Sequence, residues 1–128
     1  MGNGTSIGRV RGLGSAHEGA HHWLIQRFTA IGNLVLMLWL LVSFLFLPAY
    51  DHGTVTGWLA NPISAAALIL LIVSTFWHAR LGLQVLIEDY IHEGGSRFAL
   101  TALLNLAAVA GAVFGIFCIA RIAFAGAA

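Results

Sequence analysis

The stretch Trp77-His78-Ala79-Arg80-Leu81-Gly82-Leu83-Gln84-Val85-Leu86-Ile87-Glu88-Asp89-Tyr90-Ile91-His92 decides the reading of the fold. It sets a histidine and an arginine inside a long apolar segment and ends in an acidic, aromatic cluster. The apolar run begins at Pro62 and continues to Ile87, broken only by His78 and Arg80 in its charged or imidazole content. Two further runs, Phe28 to Leu47 and Phe98 to Ala120, have comparable length. A helix needs about 20 apolar residues to cross a bilayer core, so each run is expected to be a span. The expected fold class is all-α, an integral membrane bundle of three transmembrane helices.

Composition points the same way. The chain has 128 residues, 59% of them hydrophobic and 9% charged, which lies outside the range of soluble domains. A net charge of +1, no lysine, and six arginines scattered along the chain exclude a nucleic-acid surface. The single cysteine, Cys118, allows no internal disulfide or zinc framework, and its place in an apolar run suits packing.

Residues 1–22 are expected to form an N-terminal tail and interfacial lead-in, and residues 23–128 a transmembrane domain. Met1 to Ala16 is glycine-rich, carries Arg9 and Arg11, and is read as a mobile tail. Its first six residues fit the loose myristoylation pattern, which a three-span protein has no need of. The tail lacks the layout of a signal peptide. His17, Glu18, His21 and His22 have spacing that a zinc site tolerates, but a polar approach to the first helix explains them as well. Trp23, where helix one is expected to open, suits the aromatic belt. Arg27 is read either as snorkelling to headgroups or as the partner of an anion such as a haem propionate. Gly32 and Asn33 suit close helix packing.

Pro48 to Asn61 is read as a loop whose Tyr50 and Trp58 sit at the opposite membrane surface. Asn61-Pro62 is a helix-start pair, and helix two should run to about Ile91. Gly94-Gly95 is expected to end it and Ser96 to cap helix three. Helix three is rich in alanine and glycine, with Asn105 available as an interhelical hydrogen bonder. The arginines of the N-terminal segment, with Arg97 in the second loop, put the N-terminus inside by the positive-inside rule; Arg121 at the outer end is a mild exception.

Ionisable groups inside a span are costly and are functional candidates by default. His78 lies nine residues, about 14 Å of helix, from Ile87, which is near mid-membrane. A neutral imidazole there either hydrogen-bonds to a neighbouring helix or serves as a haem axial ligand. Gly82, one turn on, leaves room for a flat macrocycle. No other histidine shares that depth. Met37 does, but reads as a core methionine, so a second ligand is expected on a partner subunit. Arg80 needs an anion or water within an assembly. Asp89 falls almost on the face of His78, and the Tyr90 phenol, at the surface, can donate a hydrogen bond to a carbonyl.

These residues resemble a family. The pattern His78-x-x-x-Gly82-x-Gln84-Val85-x-x-x-Asp89-Tyr90, followed by the apolar Ile91, is similar to the small membrane-anchor subunits of succinate dehydrogenase, respiratory complex II. Arg27-Phe28-Thr29-Ala30-Ile31 resembles that family's Arg-x-Thr-Ala-Ile in the first helix. The three-helix layout covers most of the chain, the spacing from His78 to Asp89-Tyr90 is the specific part, and Arg80 departs from the small or apolar residue expected there.

The resemblance implies that His78 is one axial ligand of haem b, shared with a second membrane-anchor subunit, with Arg27 near a propionate. It implies a ubiquinone site lined by Tyr90 and Asp89 that faces an iron–sulfur subunit, with a flavoprotein subunit carrying the catalysis. This chain has no dinucleotide fingerprint or cysteine cluster of its own. The implied location is the bacterial inner membrane or the mitochondrial inner membrane. A cofactor-free docking protein and a small proton-linked transporter are the competing readings, the latter weakened by the lack of an inverted repeat.

Overall fold

The computed structural model describes residues 16–125, with four helices in the order α1 (Ala16–Leu45), α2 (His52–Ala60), α3 (Pro62–Tyr90) and α4 (Gly94–Ala125). The glycine-rich tail, with Arg9, Arg11 and the acylation pattern, lies outside the described residues. Three helices are long and apolar enough to cross a membrane: α1 from Gly19, and all of α3 and α4. Little is buried within the chain itself. Phe28 is 78% exposed, Phe98 77% and Phe117 61%. In water such surface would drive association, so lipid or partner subunits must cover it.

α1 extends further toward its N-terminus than the start at Trp23 expected from the apolar run, because the polar lead-in continues the same helix. α3 is the central element. It packs against α1 on one side and α4 on the other, and α1 and α4 do not contact each other among the described residues. The three spans therefore form a row rather than a closed triangle, with two broad faces open.

Close approach along α3–α4 comes from two glycines on successive turns of α4. A Cβ on Gly111 would overlap the Phe76 ring, and one on Gly115 would stand 3.0 Å from Ile72 Cδ1. Small residues four apart let membrane helices meet closely. Gly111→Leu should therefore force the pair apart at a cost of about 1–3 kcal/mol, the usual range for overpacking. A lower dissociation temperature in detergent is the expected readout, and an unchanged one would show that the ring simply swings aside.

The Pro48–Asn61 connection is not an irregular loop, as the sequence suggested. It contains α2, capped by Asp51, whose carboxylate accepts from the Thr54 amide at 3.2 Å and the Thr54 hydroxyl at 2.6 Å. Those hydrogen bonds hold the Asp51 carboxyl below its usual range. Too short to span, α2 lies across the end of the row, with Trp58 stacked on Trp39 of α1 at 5.7 Å and tilted against Phe44 at 5.4 Å. Asn61 caps α3 as expected, accepting from the Ile63 amide at 2.9 Å.

The other connection also differs from expectation. α3 ends at Tyr90, and only Ile91, His92 and Glu93 precede α4. Gly94-Gly95 opens α4 instead of closing α3, and Ser96 is inside its first turn. The cap is Glu93: its carbonyl accepts from the Arg97 amide at 3.0 Å, and its carboxylate accepts a hydrogen bond from the Ser96 hydroxyl.

Candidate functional site

α1 and α3 run antiparallel, and their seam is polar at membrane depth. Gln26, Thr29 and Asn33 share one face of α1 by their spacing of three and four residues. Opposite them stand Gly82, His78 and Ser74 of α3, again one turn apart. The register is read from three contacts. A Cβ on Gly32 would lie 3.9 Å from Ser74 Oγ, Thr29 Oγ1 is 3.0 Å from His78 Nδ1, and a Cβ on Gly82 would lie 3.6 Å from Gln26 Nε2.

The Thr29–His78 pair is the centre of this seam. The Thr29 hydroxyl has one proton and two backbone acceptors, Ile25 O at 2.9 Å and Gln26 O at 3.1 Å. With that proton given to the backbone, the hydroxyl oxygen accepts from His78 Nδ1–H. The neutral imidazole then carries its lone pair on Nε2. The contact orients the ring and suits the tautomer protonated at Nδ1, and His78 is only half-buried. One turn to each side, Gln26 Oε1 and Asn33 Oδ1 are buried without a hydrogen-bond partner among the described residues. Orphaned polar atoms at this depth mark a site that something else completes.

Several expected neighbours are not gathered there. Arg27 is exposed on α1, about 160° round the helix from Thr29 at 3.6 residues per turn, and its guanidinium stacks on Trp23 at 4.1 Å. Thr29 meets His78 directly, so Arg27, two residues away, lies near the depth of His78. The helix begins well before the apolar run at Phe28 and already includes His21, His22 and Gln26. Among the described residues no three His, Cys, Asp or Glu side chains converge on a metal position.

Asp89 and Tyr90 are both exposed at the end of α3, Tyr90 by 76%. Tyr90 lines a groove of about 480 Å³ between α3 and α4 with Leu83, Leu86, Ile87, Leu100 and Leu103. Asp89 points about 100° away from it round the helix, toward the side of His78. Nearby, Gln84 Nε2 donates to Glu88 Oε1 at 2.9 Å. Arg80 donates through Nε to Asn105 Oδ1 on α4 and lies over Trp77 at 5.2 Å. Asn105 is thus the interhelical bonder the sequence suggested, and helix three is not free of polar function. Thr29, Gln26 and the orphaned amide of Asn33 were not singled out as site residues. Thr29 is found only once the antiparallel register sets it against His78.

A row of three apolar spans, with a hydrogen-bonded histidine between two of them and unpartnered amide oxygens on either side, defines an integral membrane protein with a polar seam between its helices. Residues 1–114 match the family described as the succinate dehydrogenase/fumarate reductase transmembrane subunit, and the chain belongs to that family. Among its relatives is the succinate dehydrogenase hydrophobic membrane anchor subunit of Rickettsia bellii, 40% identical over 68% of this chain and 70% of the relative. The subunit of the same name from Rickettsia conorii is 35% identical over 80% of this chain and 82% of its own. That of Paracoccus denitrificans is 28% identical over 84% of each. The chain is a membrane anchor subunit of succinate dehydrogenase, part of an enzyme complex and associated with its other subunits.

Proposed function

We propose that this subunit binds one haem b and forms part of a quinone site, so that electrons from succinate oxidation reach ubiquinone at the membrane. The carrying observation is the His78 Nδ1–Thr29 hydrogen bond at 3.0 Å, which leaves Nε2 as the free donor atom. A ligating histidine typically gives its other ring N–H to an acceptor, which fixes the tautomer and raises the basicity of the ligand. The fit extends to the surroundings: Gly82 keeps its flank of α3 clear of its own side chain, with only the flexible Gln26 amide against it. Haem b, when bound, supplies a one-electron redox centre. His78 would hold the haem iron through Nε2, together with a histidine of the second anchor subunit.

Tyr90 holds the quinone head by donating its phenolic proton to a quinone carbonyl, in the groove near the end of α3. Asp89, beside it at the aqueous surface, orients the site or relays protons. The iron–sulfur subunit docks at the Tyr90 end, and the flavoprotein subunit beyond it. That end faces the bacterial cytoplasm or the mitochondrial matrix, as the arginines of the N-terminal segment and Arg97 favour. Arg27 is directed away from His78, so we assign its charge to headgroups at that end: the side chain leans toward the N-terminus of α1, the nearer surface, over Trp23.

The test is Thr29→Val in the assembled complex. Losing the acceptor leaves Nδ1–H unpaired, which makes the imidazole less basic and His78 a poorer ligand. The haem midpoint potential should rise, and haem retention through purification should fall by about 10–100-fold, the usual effect of removing such a partner. Thr29→Ser should restore both. An unchanged potential and haem content in Thr29→Val would remove the proposed role.

A further inference from the structure

Arg80 is not explained by the haem or the quinone. It lies two residues from His78, hence about 160° round α3 on the other flank. It is ten residues from Tyr90 and eighteen from Pro62, so its Cα is about 15 Å from the nearer end of the helix. Arginines near a span's end escape by snorkelling to the closer surface. Arg80 cannot do so easily, because side chains of a helix lean toward its N-terminus, and for α3 that is the more distant end. Arg27 on the antiparallel α1 leans the favourable way. The Arg80 guanidinium is instead held within the span by Asn105 Oδ1 at Nε, with Trp77 beneath it.

A guanidinium has five N–H donors. One is used by Asn105, and the other four have no acceptor among the described residues. Beside them runs a groove of about 310 Å³ lined by Val73, Phe76, Trp77, Ala108, Val109 and Ala112 as well as Arg80 and Asn105. The small side chains Ala108 and Ala112 allow another helix to approach closely.

We propose that this groove seats a transmembrane helix of the companion anchor subunit, and that the helix carries an Asp or Glu whose carboxylate pairs with Arg80. The inference rests on the chain's place as an anchor subunit of a complex. Acyl chains bring no acceptor to this depth, and the backbone of a spanning helix is already satisfied, so the acceptor is a side chain. The planar guanidinium fork matches a carboxylate through two parallel hydrogen bonds, and only a formal negative charge neutralises it in hydrocarbon.

The experiment uses the whole complex, purified through a tag on this chain, in a Cys118→Ser background. Val109→Cys places a thiol in the groove, to be labelled with a thiol-reactive benzophenone and irradiated in the membrane. Leu103→Cys, on the opposite groove with Tyr90, is the control. Copurification of the other subunits is scored before irradiation, so failure of the anchor assignment itself is seen separately. The expected result is a Val109 adduct on a companion-subunit span containing Asp or Glu. Arg80→Leu should lower recovery of assembled complex several-fold, removal of that acid should do the same, and the double variant should be no worse than either. Adducts only with lipid, with a second copy of this chain, or with a span lacking a carboxylate would overturn the proposal, as would full recovery of the Arg80→Leu complex.

Discussion

Replacing Tyr90 by phenylalanine should lower succinate-to-quinone electron transfer by about tenfold or more, while succinate oxidation by an artificial acceptor at the flavin continues at the wild-type rate. The substitution keeps the ring that lines the α3–α4 groove and removes only the phenolic donor. A hydrogen bond of this kind contributes about 0.5–1.5 kcal/mol to binding. The effect on turnover is larger if the bond strengthens as charge builds on the quinone oxygen, as donors aimed at developing charge do. Tyr90 is 76% exposed in the isolated chain, so its loss should leave the helix and the three-span row intact. Steady-state quinone reduction, with the flavin-level assay as its internal control, measures the effect. Unaltered rate and affinity would make Tyr90 a residue of the aromatic belt and move the quinone site elsewhere.

His78→Ala should remove the b-type absorbance from the complex or convert it to a high-spin form. The row is held by α3–α4 packing at Gly111 and Gly115 and by the α1–α3 seam around Gly32 and Ser74. The anchor should therefore still insert and associate after losing one imidazole. Its loss also leaves Thr29 without its side-chain partner, though the hydroxyl keeps its backbone acceptors. Reduced-minus-oxidised difference spectra of the variant complex are the measurement. An unchanged low-spin spectrum would rule out His78 as a ligand, leaving it a hydrogen bonder between α1 and α3.

The spans were legible in the sequence because length and apolarity alone mark them, and α3 was legible almost to the residue because Asn61-Pro62 starts it. Its end, expected near Ile91, falls at Tyr90, but the glycines expected to close it belong to α4. Glycine tolerates the first turn of α4 as well as a position past α3, and the Glu93–Ser96 contact that decides between them is local side-chain chemistry. α2 was missed for a related reason: nine residues give too little periodicity to separate a short helix from a loop.

Within the site, His78 stood out because an imidazole inside an apolar run is conspicuous. Its partner did not: Thr29 falls in the Arg27–Ile31 stretch that resembles the family, but nothing pairs it with His78 until the antiparallel register aligns the two. The same register corrected Arg27. Hydropathy alone started the first span at Phe28, but the helix continues inward to Ala16, which brings Arg27 to the level of His78 and onto the other side of α1. Arg80 and Asn105 were each visible as polar residues in spans, and only the packing of α3 on α4 pairs them.

The most direct test of the account is the cofactor content of the wild-type complex, purified through a tag on this chain and titrated electrochemically while its optical spectrum is recorded. One low-spin, six-coordinate b-type haem is expected for each copy of this chain, together with the flavoprotein and iron–sulfur subunits. A complex that carries its flavin, reduces quinone at full rate and contains no haem would contradict it.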